Sequence, residues 1–292
     1  MPNDYQLIGL YCDICQLYDS KLAVEVQRQS NNFCPKFTDE ECITIYIWGI
    51  TKQKFEVRAV YDFAKEYYSD WFPTLPSYQA FNNRICHLSD AFYKLADILI
   101  SEHDREQMNN TYLIDSMPII VANAKRSSSA VTASEVCDKG YCGSKGMYYY
   151  GVKLHVLAQM QFKTIPEAAL ITLSSASQND LTIAKQFLED VMNLDIYADK
   201  AYKNKDWDIY LKSQNNVEIF TPVKLKKGQK RLDSADLLFS TAVSQVRQPI
   251  ESFFSWLQRK TQIQKASNVR SAKGLLSFIY ARIASCYISD FA

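Results

Sequence analysis

Two short apolar stretches, each delivering an aspartate, constrain this chain more than any other feature. Residues 112–118 (YLIDSMP) read as a brief buried strand ending on Asp115, with Pro118 stopping further pairing. Residues 194–199 (LDIYAD) read as a second strand, with Asp199 at its C-terminal end. Further on, residues 249–257 (PIESFFSWL) open an amphipathic helix. Ile250, Phe253, Phe254 and Leu257 form its apolar stripe, and Glu251 lies at the stripe's edge. If the two strands are neighbours, their ends lie about 4.8 Å apart and both carboxylates face one space. A helix packed on that sheet brings Glu251 to the same place. Three converging negative charges repel and raise one another's pKa unless a cation neutralises them. An all-carboxylate site suits Mg²⁺ or Mn²⁺ rather than zinc. Taken singly, each of these acids reads first as a solvated strand or helix end.

The combination carries more. Asp115 inside IDSMPI, Asp199 inside ADKAY and Glu251 inside VRQPIESFFSWL resemble, in that order, the acids of bacterial insertion-sequence DDE transposases, most closely the insertion sequence 982 family. GVKLH at 151–155, after a run of tyrosines, and ASQND at 176–180 are further landmarks of the resemblance. It covers most of residues 110–285 and, more weakly, the N-terminal part. It implies a ribonuclease H-like α/β fold, a mixed sheet flanked by helices. It also implies two divalent ions, bridged by Asp115 and held one each by Asp199 and Glu251. Ions roughly 3.5–4 Å apart activate water and stabilise the leaving oxygen in an in-line attack on phosphorus. Double-stranded DNA is the implied substrate, both the element's terminal inverted repeats and the target, with a homodimer or larger assembly on DNA. A broader related pattern has Tyr three residues before an Arg and Lys seven after the Glu. Here Arg247 stands at the right spacing, but Ser244 and Gln258 occupy the other two positions. Arg247 is carried over as a residue orienting a carboxylate or a DNA phosphate. The Lys role has no counterpart.

A chain of 292 residues suggests two domains, read here as a helical part, 1–111, and a catalytic part, 112–292. The net charge of +1 is unevenly spread. Residues 1–111 hold 10 Lys/Arg and 16 Asp/Glu, and residues 112–292 hold 23 and 16. No acid occurs between Ser252 and Ser289, whereas Arg259, Lys260, Lys265, Arg270, Lys273 and Arg282 are basic. That suits a polyanionic partner, with a merely soluble surface as the alternative. No apolar run reaches the roughly 18 residues of a membrane span, and the N-terminus has no signal core, so a bacterial cytoplasmic location is expected, nucleoid-associated when acting. With no secretion signal the eight cysteines read as reduced thiols, and Cys12-x-x-Cys15, with no nearby histidine or second CxxC, reads as buried or tolerated thiols before a zinc site.

In the N-terminal part, helices are expected over 4–30, from Thr38 (a capping box with Glu41) to about Gly49, and near 54–69, 78–87 and 90–101. The 78–87 helix follows a Trp-Phe-Pro breaker and carries Gln79, Asn82, Asn83 and Arg84, a residue set able to enter a major groove. An ordinary bundle helix reads equally well, and the local negative charge opposes strong phosphate binding. In the second part, 123–146 reads as a loop, 147–160 and 163–174 as hairpin strands, and 181–192 as a helix capped by Asn179 or Asp180. Then come strand 194–199, helix 205–214, strand 217–223, a basic excursion at 224–240, the glutamate helix and a last helix at 271–288. Lys226, Lys227, Lys230 and Arg231 in the excursion, Arg259 further on, and Lys200 and Lys203 beside Asp199 are DNA-backbone candidates or solvated charges. Asp195 belongs to the far end of its strand, and His155 reads as structural. No G-x-S-x-G elbow, P-loop or G-x-G-x-x-G occurs. Two rival readings remain: a ribonuclease H-like nuclease that cuts without joining, and an inactive, domesticated DNA-binding protein.

Overall fold

The structure is a computed structural model that describes residues 4–26, 35–102, 109–123, 125–143, 145–225 and 227–288. By internal contacts the chain forms two units. One comprises Met1–His103, Val131–Glu135 and Leu257–Ala292, the other Asp104–Ala130 and Val136–Trp256.

The first unit begins with α1 (Asp4–Leu17), α2 (Asp39–Thr51), α3 (Val57–Tyr67), α4 (Tyr78–His87) and α5 (Ser89–Glu102). Local signals start these helices. The Thr38 hydroxyl accepts from the Glu41 amide at 3.2 Å, and the Glu41 carboxylate accepts from the Thr38 amide at 2.7 Å. Ser77 caps α4 by accepting from the Ala80 amide. A nearly unbroken apolar run makes α2 the central helix, with Ile43, Ile45, Ile47 and Ile50 all buried. The expected helix over 4–30 stops early. After α1 the chain tightens into a π-turn, Tyr18–Leu22, and a 3-10 turn, Ala23–Val26, and residues 27–30 lie outside the described residues.

The second unit is built on β1 (Thr111–Asn123), β2 (Asp138–Cys142), β3 (Met147–Gln159), β4 (Glu167–Ser175), α6 (Asp180–Phe187), β5 (Asp195–Tyr197), α7 (Lys205–Asn215), β6 (Glu218–Phe220), α8 (Ser234–Arg247) and the first part of α9 (Pro249–Thr261), up to Trp256. Its sheet runs β2-β3-β1-β5-β6, and β4 also pairs with β3. β1 is antiparallel to β3 and parallel to β5, which is parallel to β6. The long β3 is shared along one edge: β2 takes residues 147–151 and β4 takes 152–159. Setting β2 aside, the order β4-β3-β1-β5-β6 is that of a ribonuclease H-like fold, as the sequence led us to expect. Ile114, Ile196, Ala198, Trp207, Leu211 and Ile219 fill the core between sheet and helices.

Three expectations for this unit are corrected. Pro118 does not end β1, because it pairs with Lys153 of β3 while β5 follows β1 only as far as Leu113. A residue without an N–H is tolerated where one strand flank is open. The presumed loop 123–146 contains β2, whose approach depends on glycine. A Cβ on Gly140 would lie 2.3 Å from the Ala176 carbonyl oxygen, and one on Gly151 would lie 2.1 Å from that of Ile119. The excursion at 224–240 ends in α8, which starts at Ser234 with Asp233 as its cap. Leu237, Leu238 and Phe239 are exposed on it, so no buried apolar period announced this helix.

The last helix, α10 (Ala272–Tyr287), packs on α5, α2 and α4. Residues 257–288, read above as part of the catalytic range, thus fold with the N-terminal helices. Among the described residues no helix is long and apolar enough to cross a membrane.

Candidate active site

The parallel pairing of β1 with β5 sets the first two acids. Thr111 stands opposite Asp195, Tyr112 opposite Ile196 and Leu113 opposite Tyr197. Two residues further, beyond the paired part of β5, the same register runs Asp115 toward Asp199 and leaves Asp195 at the strand's other end. Just past β5, Asp199 caps a 3-10 turn, Lys200–Tyr202, its Oδ1 accepting from the Lys200 amide at 2.6 Å.

Arg247 joins the third acid to the first. Its Nη1 donates to Asp115 Oδ2 at 2.7 Å and its Nη2 to Glu251 Oε1 at 2.9 Å. It sits in the last turn of α8, where the helix dipole favours a cation. Gln248 keeps helical dihedrals (φ −48°, ψ −38°) and Pro249 takes the first position of α9. The chain therefore changes helix without losing the spacing that lets residues 247 and 251 meet. The other Asp115 oxygen accepts from the Ser116 amide at 2.8 Å.

The Asp115 carboxyl is pushed up to about 6, first by loss of surrounding water and further by the charges of Asp199 and Asp180; the Ser116 amide and Arg247 oppose this. Tyr202 is buried, its hydroxyl pushed well above its ordinary range by burial and then by the charge of Asp115. The sequence named Tyr202 only as a letter of a motif. His155 is buried with its Nε2 2.8 Å from Ser174 Oγ, and burial pushes the ring down to about 4. Asn179, not Asp180, caps α6; Asp180 pairs with Lys153 at 2.9 Å.

A cavity of about 510 Å³ adjoins the carboxylates, lined by Lys200, Pro222, Leu237, Ser240, Arg247 and Glu251. Lys203 points its charge elsewhere, to Asp208 at 2.6 Å. Lys227, Lys230 and Arg231 are exposed before α8, Arg259 is exposed in the last turn of α9, and Lys226 lies outside the described residues. Among the described residues no three His, Cys, Asp or Glu are gathered as a metal site. Asp115, Asp199 and Glu251 are the hard oxygen donors that suit a divalent ion, and two of them are already paired with one cation, the Arg247 guanidinium.

In the helical unit Gln79 is exposed, whereas Arg84 is largely turned inward. It forms a paired contact with Asp39, Nε donating to Oδ1 at 2.5 Å, and Asp39 also accepts from the Tyr18 hydroxyl at 2.9 Å. Replacing Arg84 with Ala removes the cation paired with a buried carboxylate and is expected to lower stability by roughly 3 kcal/mol. Gln79→Ala should stay within about 0.5 kcal/mol of the parent. Urea unfolding of both variants checks this, and an unperturbed midpoint for Arg84→Ala would return that side chain to the surface.

Residues 105–271 match a family described as a transposase DDE domain, a span that includes the whole sheet and all four of Asp115, Asp199, Arg247 and Glu251. No curated protein matches the chain.

Proposed function

Because the chain belongs to the transposase DDE domain family, we propose that it cleaves DNA at the ends of an insertion sequence and joins the freed 3′ ends to target DNA, in the manner of the insertion sequence 982 transposases. The observation that carries the reading is the Arg247 bridge from Asp115 to Glu251, beside a strand register that runs Asp115 toward Asp199. Asp115 would hold two divalent ions jointly and Asp199 and Glu251 one each, Mg²⁺ or Mn²⁺ supplying the Lewis-acid charge for attack on phosphorus. Arg247 neutralises Asp115 and Glu251 until DNA arrives and then turns its planar fork to a phosphate. Lys200, lining the adjoining cavity, holds the phosphate next to the one that is cut. Lys226, Lys227, Lys230 and Arg231 follow the DNA backbone, with Lys203 and Arg259 as outlying contacts. The helical part, 1–111, recognises the element's ends through the exposed face of α4 that carries Gln79, and 112–292 contains the chemistry. The working form is a homodimer or larger on DNA, in the bacterial cytoplasm.

The test is strand transfer. With labelled DNA ending in the element's terminal repeats, a supercoiled plasmid and Mg²⁺, the protein should yield plasmid carrying the label covalently. Cut ends without joined product would instead favour a nuclease. Neither cutting nor joining, with DNA binding intact, would favour a domesticated DNA-binding protein.

A further inference from the structure

The hairpin of β2 and β3 carries two tyrosines that the chemistry above does not use. Tyr141 and Tyr148 are direct cross-strand partners with ring centroids 5.0 Å apart, and each is 55 % exposed. The Lys139 ammonium lies 5.1 Å from the centre of the Tyr148 ring. Cys142 and Tyr149, alternating with them along the same strands, are buried with Ala176. The hairpin is therefore anchored by its inner face, and the outer rings stand in water without contributing to that core. They border an open groove of about 440 Å³ that Lys153, Gln178, Asp180 and Ala201 also line. Ala201 belongs to the 3-10 turn that Asp199 caps, so the groove reaches that turn. Within it Lys153 and Asp180 pair at 2.9 Å, and the Ser177 hydroxyl donates out of it to Asp138 at 2.6 Å. The cation of Lys139 is the charge set against the rings.

We propose that this hairpin is a stacking platform for an unpaired DNA base beside the scissile phosphate. Paired rings with a cation on them suit single-stranded nucleic acid, because every base offers a π-face and every nucleotide a phosphate. The groove's reach to the turn that Asp199 caps selects the strand being cut over a protein partner. This inference rests on the function proposed above.

The test needs no catalysis. In EDTA, the full chain is titrated with a blunt duplex and with the same duplex bearing a short unpaired overhang, and 2-aminopurine in the overhang reports stacking. The parent should prefer the overhang and quench the probe. Tyr148→Ala and Tyr141→Ala should each reduce the preference about tenfold and restore the fluorescence, whereas Tyr148→Phe should keep both. No preference in the parent, a preference untouched by Tyr148→Ala, or a change in oligomeric state instead of DNA affinity would each overturn the platform. A chain that cuts and joins DNA yet shows no preference loses this inference alone. One that neither binds nor cuts DNA loses the proposed function as well.

Discussion

Asp115→Asn, Asp199→Asn and Glu251→Gln are each expected to abolish cleavage and joining together, by at least about a thousandfold, while leaving the protein folded and bound to DNA. The amide keeps the size of the side chain and removes the charge a divalent ion requires. One site serving both steps means that neither activity survives alone. The folding argument is clearest for Asp115. Its carboxyl is pushed up to about 6, mainly by burial, so the folded state holds that proton more tightly than the unfolded chain does. Stability contributed by this group is present at low pH and is lost as pH rises from the ordinary carboxylate range through about 6. At neutral pH the ionised group opposes folding, and the amide relieves that cost against the loss of the ion pair with Arg247. The control is Asp195→Asn, an exposed position opposite Thr111 at the start of β5, which should retain activity. Gel assays of cleavage and strand transfer, with melting curves for all four variants, decide the matter. An inactive Asp195→Asn beside a normal Asp199→Asn would show that β5 presents the other aspartate.

Arg282→Leu is expected to cost roughly 3–5 kcal/mol and to leave the helical unit largely unfolded at moderate urea. In the sequence this arginine belongs to an acid-free basic run that suits a polyanionic partner or a merely soluble surface. In the fold it is 1 % exposed. It donates to the carbonyls of Thr261 at 3.0 Å and Phe278 at 3.1 Å, to the Tyr46 hydroxyl at 3.3 Å, and to the Phe55 carbonyl. Its guanidinium also lies 3.4 Å from the centre of the Phe278 ring. Removing it orphans buried acceptors from the end of α9 and from the stretch between α2 and α3. Arg282→Lys should recover only part of the loss, because an ammonium cannot reproduce the planar fork. Urea titration with DNA binding measured in parallel separates the readings. Parent-like stability with weakened DNA affinity would make Arg282 the surface cation that the sequence suggested.

Much of this protein was legible from short-range pattern. The capping signals at Thr38, Ser77 and Asn179 act within three residues of the helix they start, so no tertiary knowledge is needed to read them. The ribonuclease H-like sheet and the three acids came from strand pattern together with family motifs, since no single acid distinguishes a ligand from a solvated strand end. Tertiary structure alone decided what each cation meets. Arg247 finds Asp115 across 132 residues, Arg84 finds Asp39 across 45, and Arg282 finds Tyr46 across 236. A basic residue has the same composition whether its partner is a phosphate, a carboxylate or a buried carbonyl, and only packing selects among them. The same holds for Pro118, whose missing N–H matters only if a strand lies on that side, and for β2, whose Gly140 makes sense only against Ala176. It holds as well for α10, whose apolar surface specifies burial without specifying the helices it is buried against.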